Sequence, residues 1–397
     1  MAHILTALGV ALLLLVAFDV YATILDARAK AGPITGPLYR GIWWATRWAA
    51  FRLSRPNRHR LLNFIGPLLM PALIILYLVI LIGGFALIYY PRMPAQFNMP
   101  GGIATPTWFE SIYFSGVSLT TLGFGDIMPR TIAMRLVSLA ESASGFALIS
   151  LAVTYLITVY GALERRRLVA LSLYHQAGQG ANVAGFLTHY TIDGKFYGLE
   201  AEIRTATRDL QVLYAAHVEH PIIHYFHPLQ VYKGLPRILF LTLETCTVIR
   251  ACLDDEQYVE IRQHPDVQTL FANARYILAE TIAGLDLAPQ ARRREEPPFI
   301  EARHWERRYR QTLNQLAAAG VSTRKDVEAG WEEYRAQREE WESMLYRFAV
   351  HLGYDWDETT GDHDLRDANE EAKSCEASDE KQSEKSDTSP RSRGVIQ

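Results

Sequence analysis

Three long apolar runs dominate the first part of the chain, and a more polar part follows them. The runs cover residues 4–25, 61–90 and 132–160, and each is long enough to cross a membrane as a helix, which takes roughly 20 residues. Beyond residue 164 the apolar residues recur with helical spacing and are interleaved with charges. The pattern therefore predicts three membrane spans followed by a mainly helical water-soluble part.

The first run is predicted to be a retained span rather than a cleaved signal peptide. No lysine or arginine precedes it, whereas Arg28 and Lys30 follow it, and a signal peptide has its positive charge before the apolar stretch. Its single charge, Asp19, is expected to snorkel to the interface or to pair with a basic residue of the following loop. Pro67 and Pro71 are expected to kink the start of the second run or to mark a short approach helix.

The basic residues predict how the spans are oriented. The loop between the first two runs contains Arg28, Lys30, Arg40, Arg47, Arg52, Arg55, Arg58 and Arg60. The segment between the second and third runs contains only Arg92 and Arg130. The positive-inside rule then predicts a multi-pass protein of the cell (inner) membrane, with the N-terminus outside and everything after the third span in the cytoplasm. Three tryptophans within residues 38–53 predict a helix lying in the membrane interface.

A further apolar stretch, residues 107–122, lies between the second and third runs. It is too short to cross the bilayer and too aromatic for a solvated loop, which is typical of a re-entrant element. Gly123 and Gly125 follow it and alternate with other residues, and glycine adopts positive φ at little steric cost. Such a backbone can direct a row of carbonyl oxygens at one axis, where they replace the hydration shell of a potassium ion. Thr121 would complete the inner end of this row.

This segment resembles the filter of the potassium channel pore family, whose signature is Thr-x-Gly-Tyr/Phe-Gly followed by Asp. The matching residues are Thr121, Leu122, Gly123, Phe124, Gly125 and Asp126. The resemblance implies that the first five of these coordinate K⁺ and that Thr120, Asp126 and Tyr113 support the filter. Gly145 lies where the family often carries a hinge glycine in its inner helix. The extra first span and Leu122, where valine is commoner, depart from the family pattern.

The resemblance covers roughly residues 60–165 and implies a K⁺-selective channel. Each chain supplies one pore loop, so a cage of carbonyls around an axis implies a homotetramer in the lipid bilayer. Two alternatives stay open, a weakly selective monovalent cation channel and a membrane-tethered sensor or scaffold with a non-conducting pore domain. No catalytic or cofactor signature in the sequence supports an enzyme. The expected ligand is K⁺, as the permeant ion. The sequence does not reveal the gating stimulus.

Glu141 is a carboxylate within the third run, four residues before Gly145 and on a similar face. A charge at that depth usually faces the bundle interior or water. Two roles are open. Glu141 could attract cations near the cavity, or it could accept hydrogen bonds from pore-helix hydroxyls such as Ser115 or Ser118 and so brace the filter.

The part after the third span is predicted to be helical over residues 199–220, 236–253, 266–283 and 300–319. Thr323 and Asp326 form a candidate capping box before another helix. A nucleotide-binding fold is not expected, because Val183 occupies the third glycine position after Gly178 and Gly180. The first span contains no arginine, which argues against a built-in voltage sensor.

Histidines cluster around Pro221, and His217 and His220 are candidates for a metal site or a pH sensor. Ordinary inter-helix histidines are the favoured interpretation, since no cysteine or paired carboxylate accompanies them. The formal net charge of −3 gives no reason to expect a nucleic-acid partner. Three cysteines without CxxC spacing exclude a dense disulfide framework.

Together these patterns predict an all-α membrane protein, a tetrameric pore-loop channel domain followed by a mainly helical cytoplasmic domain. The predicted divisions are an extra N-terminal span, a basic cytoplasmic or interfacial segment, the pore domain, the helical cytoplasmic domain and a disordered tail. In that order they cover residues 1–30, 31–60, 61–163, 164–360 and 361–397.

Overall fold

The structure, a computed structural model, describes residues 1–26, 31–93, 95–99, 107–178, 180–285, 287 and 302–361. The chain is mainly helical over these residues, which confirms the all-α prediction. The predicted tail lies, except for its first residue, outside the described residues. The helices are α1 (Ala2–Val20), α2 (Thr35–Ala50), α3 (Arg55–Tyr89), α4 (Trp108–Leu119), α5 (Ile132–Gln176), α6 (Val183–His189), α7 (Leu199–Glu219), α8 (Leu235–Cys252), α9 (Val259–Arg262), α10 (Pro265–Gly284), α11 (Ala302–Ala318), α12 (Val327–His351) and α13 (Trp356–Thr360).

Three helical segments are long and apolar enough to cross a membrane, namely Ala2–Leu25, Arg55–Arg92 and Ile132–Gln176. They correspond to the three predicted spans and confirm them. The expected separate approach helix is wrong, because Pro67 and Pro71 both lie inside the single helix α3, and the expected kink stays a prediction. Neighbouring groups in a membrane helix bundle can satisfy the backbone carbonyls that a proline leaves without a donor.

Two short antiparallel pairings complete the secondary structure of the described residues. β1 (Phe97–Asn98) pairs with β2 (Met128–Pro129), and β3 (Thr191–Ile192) pairs with β4 (Lys195–Phe196). The first pairing joins the chain that enters α4 to the chain that leaves the predicted filter. It therefore fixes both ends of the loop that carries the candidate site.

Residue contacts divide the chain into two compact units. The first unit contains the first two candidate spans, α4 and the third candidate span as far as Leu168. It also contains Arg208–Leu229, which the sequence analysis assigned to the cytoplasmic domain. In this unit Arg166 donates a hydrogen bond to the carbonyl of Phe226 at 2.8 Å, and the Gly66 backbone lies directly against the Phe226 ring.

Asp19 lies buried in the first unit and joins α1 to α2 and α3. Its carboxylate accepts hydrogen bonds from the Ile34 and Thr35 amides at 2.6 and 3.3 Å, and from the hydroxyls of Thr35 and Tyr77, each at 2.5 Å. Asp19 is 0% exposed, so the expectation that it snorkels to the interface is wrong. Among the described residues its partners are hydroxyl and amide groups rather than cations.

α1 packs closely against α3 at a pair of glycines. A Cβ on Gly9 would lie 2.5 Å from the carbonyl oxygen of Gly84, so only glycine permits this approach. Small residues at such crossings allow backbones to meet where lipid supplies no hydrophobic driving force. About one turn before Gly9, the Thr6 hydroxyl accepts a hydrogen bond from Arg92 at 2.8 Å. These contacts make the extra span part of the unit that contains the pore loop.

The second unit is built around α8. All of its residues except Arg250 are buried, including the charged Arg237 and Glu244. Arg338 of α12 is buried beside α8 and lies 3.4 Å from Glu244 and 3.2 Å from Glu342. The predicted capping box at Thr323 is wrong, because Asp326 itself caps α12 and accepts the amide of Ala329 at 3.0 Å.

Candidate ion pathway

The candidate pathway begins with α4, which the sequence analysis predicted as a short re-entrant helix. Its start is fixed by Thr107 and Glu110, which form a capping box that satisfies the first amides of the helix. Its end leads directly into Thr120 and Thr121, whose amides donate to the carbonyls of Gly116 and Ser118 at 3.1 Å. The negative end of the helix dipole thus lies beside the segment predicted to bind a cation.

The backbone after α4 has positive φ at every second residue. The φ angles are 58° at Thr121, 56° at Gly123 and 78° at Gly125, while Leu122 and Phe124 keep ordinary negative values. The two glycines were predicted to take this conformation. The positive φ of Thr121 was not predicted, although a threonine two residues before the first glycine extends the same alternation. This alternation is the backbone pattern that a row of carbonyl ligands requires.

In the single chain, the large side chains of the filter segment are exposed. Leu122 is 62% and Phe124 is 66% exposed. Asp126 interacts with the Tyr113 hydroxyl of α4, which brings together two of the predicted supporting residues. The third predicted supporting residue is Thr120, whose hydroxyl donates a hydrogen bond to the carbonyl of Gly116 at 2.6 Å and so caps the end of α4.

Glu141 connects α5 to both α4 and α3. It is fully buried, and its two carboxylate oxygens accept hydrogen bonds from Ser115 at 2.5 Å and from Tyr89 at 2.8 Å. The next residue, Ser142, donates a hydrogen bond to the carbonyl of Ser118 in α4 at 2.8 Å. Of the two roles left open for Glu141, these contacts favour the bracing of α4, the proposed pore helix. Tyr89 was missed from the sequence because it lies in a different span.

At Gly145 the backbone of α5 lies very close to the end of α4. A Cβ at Gly145 would lie 2.1 Å from the carbonyl oxygen of Leu119. The residue therefore permits a close helix crossing directly below the filter segment. Its role as a hinge stays a prediction, and α5 is one uninterrupted helix around it.

His217 and His220 are not brought together as metal ligands. His217 is buried and its Nδ1 donates to the carbonyl of Leu213 at 2.6 Å, while the His220 ring packs edge-on against Tyr155. The described residues contain no group of three or more metal-ligating side chains. Burial lowers the pKa of His217 to about 4, and the nearby Arg166 acts in the same direction.

Comparisons with known proteins agree with this geometry. A family model described as "Ion channel" matches residues 74–161, which contain the filter segment. The membrane protein YdjJ of Bacillus subtilis (strain 168), described as uncharacterized, is 32% identical over 226 residues. These residues are 55% of this chain and 62% of YdjJ, less than two thirds of that relative.

A second relative is the potassium channel protein kcv of Paramecium bursaria Chlorella virus 1. It is 31% identical over 64 residues, which are 15% of this chain and 68% of that protein. No solved structure gives a significant match. By the matched region and this relative, the chain belongs to the potassium channel pore family of ion channels.

Proposed function

We propose that this protein is a K⁺-selective channel and that Thr121, Leu122, Gly123, Phe124 and Gly125 form its selectivity filter. The observation that carries the proposal is the positive φ at every second residue of this segment, directly after the proposed pore helix α4. With such dihedrals the carbonyl oxygens can take the place of water around a dehydrated K⁺. K⁺ is the permeant ion, and neither a cofactor nor an enzymatic activity is part of the proposal.

The proposed assembly is a homotetramer. One chain supplies one filter segment, and the exposed Leu122 and Phe124 leave that segment incomplete by itself. Four copies around an axis would close the ring of carbonyls and cover these side chains. The mass of the purified protein in detergent tests this, since a stable monomer would contradict the proposed pore.

Ion flux into liposomes tests selectivity. Purified protein should carry K⁺ and exclude Na⁺, and substitution of the filter should abolish the K⁺ flux. Equal flux of both ions would identify the weakly selective cation channel instead. A correctly assembled protein that carries neither ion under varied pH, Ca²⁺, voltage and osmolarity would favour the sensor or scaffold.

The proposed topology has the N-terminus outside and the second unit in the cytoplasm. Single cysteines replacing exposed residues test it, with Cys375 changed to serine and the buried Cys246 and Cys252 left in place. His3→Cys should react with a membrane-impermeant maleimide in intact cells, whereas Ser54→Cys should react only after lysis. The reverse pattern would overturn the proposed orientation.

A further inference from the structure

The second unit contains a polar cavity of about 460 Å³ that no part of the ion pathway uses. Its volume falls within the range of small-molecule sites, which is roughly 300–1,000 Å³. Four helical elements contribute to it, since α8, α9, α10 and α12 all reach its wall. We call it the arginine cavity, and its lining residues are Arg250, Val259, Arg262, Gln263, Gln268, Glu333 and Gln337.

The wall of the arginine cavity carries more positive than negative charge. The Arg250 guanidinium lies over the Phe271 ring, 5.0 Å from its centroid, and pairs with no carboxylate among the described residues. Arg262 is held in place by a 2.9 Å hydrogen bond from its Nε to the carbonyl of Arg250. Glu333 is the carboxylate of the lining, and it is shared between Arg262 and Arg324. Two guanidiniums of the lining therefore face one carboxylate, which is also shared with Arg324 outside the lining, so the wall has a net positive charge.

Gln337 supplies an unsatisfied acceptor in the same cavity. Its side chain is 8% exposed, and its Oε1 is buried without a hydrogen-bond donor among the described residues. Its Nε2 makes only a long contact of 3.4 Å to Glu333. A buried polar atom without a partner destabilises the protein, so a ligand that donates to Oε1 is favoured. The residues of the cavity can thus bind an anionic group and a hydrogen-bond donor of the same ligand.

We propose that the arginine cavity binds a small organic phosphate whose remaining part carries a hydroxyl or amino group. A phosphate monoester has a charge of about −1.5 to −2 at pH 7, opposite in sign to the net charge of the wall. Guanidinium groups bind phosphate oxygens in a bidentate manner, and Arg250 and Arg262 are the two that reach the cavity. The hydroxyl or amino group of the ligand donates to Oε1 of Gln337.

Titration calorimetry on the purified full chain tests the proposal, with ribose 5-phosphate, inorganic phosphate and ribose as probes. Ribose 5-phosphate should bind saturably and at least about tenfold more tightly than ribose, because the charge-assisted contacts are lost without the phosphate. Arg250→Gln should weaken ribose 5-phosphate binding by about tenfold or more. Gln337→Leu should weaken ribose 5-phosphate binding and leave inorganic phosphate binding unchanged.

The matched control is Arg335→Gln. Arg335 also lies on α12, but it is 52% exposed, pairs with Glu339 and does not line the cavity. Binding in this variant should equal that of the wild type. If Arg250→Gln lowers the melting temperature of the free protein, Arg250→Lys replaces it, since lysine keeps the charge and loses only the bidentate fork.

Two results would overturn the proposal. One is ribose 5-phosphate binding that is no tighter than ribose binding. The other is equal affinity in the Arg250 and Arg335 variants. A Gln337→Leu variant that binds ribose 5-phosphate normally would refute the assigned donor contact. Since binding is measured without ion flux, these outcomes are independent of whether the pore conducts K⁺.

Discussion

Ser115 of the pore helix donates a 2.5 Å hydrogen bond to Glu141 of the helix that follows the filter. Both side chains are fully buried, and Tyr89 donates to the other oxygen of the same carboxylate. Glu141 thereby ties α4 to α3 and α5. Because the filter begins within two residues of the end of α4, a displacement of that helix would move the carbonyl ligands directly.

Glu141→Ala should therefore impair both stability and conduction. The substitution leaves the hydroxyls of Ser115 and Tyr89 buried without an acceptor, at a cost of about 1–3 kcal/mol for each group. Melting temperature in detergent and K⁺ flux in liposomes measure the two effects. Ser144→Ala is the control, because the Ser144 hydroxyl donates only to a carbonyl of its own helix, that of Glu141. Wild-type flux and stability in Glu141→Ala would show that the carboxylate does not brace the pore.

Gly123→Ala and Gly125→Ala should abolish K⁺ flux while the protein still inserts and assembles. Both positions have left-handed φ angles, and a Cβ there costs about 1–2 kcal/mol per residue, repeated in every copy of the proposed tetramer. Gly83→Ala is the control, since Gly83 lies in α3 with open space around it. If a filter variant assembles and conducts like the wild type, the ion does not pass along these carbonyls.

Local patterns predicted the spans and the pore helix because length and hydropathy alone determine which segments enter a membrane. Local patterns failed where a side chain has its partners far away in the sequence. Tyr77 lies 58 positions from Asp19, so no local pattern could show that this carboxylate has buried hydroxyl donors. The arginine cavity was missed for the same reason, since its walls come from four separate helices.

Asp19 should be essential for docking the first span. Asp19→Ala removes the acceptor shared by Thr35 and Tyr77, and the unfolding free energy should fall by about 2–4 kcal/mol. Tyr77→Phe should cost less, because it removes a single donor. In the double variant the second substitution should add little, since both residues belong to one hydrogen-bond network. Fully additive losses of stability would mean that the two residues act independently.

His217 should make the fold less stable as the pH falls from about 6.5 to 4. Its imidazole is buried and neutral, with Nδ1 donating to the carbonyl of Leu213 and Nε2 lacking a partner among the described residues. The pKa is about 4 in the folded chain and about 6.5 when exposed. Between these values the unfolded chain binds more protons than the folded one. The stability that the neutral His217 contributes is therefore fully present above the pKa of the unfolded chain and is lost as the pH falls through the pKa of the folded chain.

The loss should approach about 3 kcal/mol near pH 4, since each pKa unit corresponds to about 1.4 kcal/mol. Melting temperature between pH 7.5 and 4.5 measures it. His217→Gln keeps a side-chain donor for the Leu213 carbonyl but cannot titrate, so its melting temperature should decline less on acidification. His189→Gln, which replaces an exposed histidine, should retain the wild-type decline. Identical acid profiles for the wild type and His217→Gln would place the pH sensitivity at other groups.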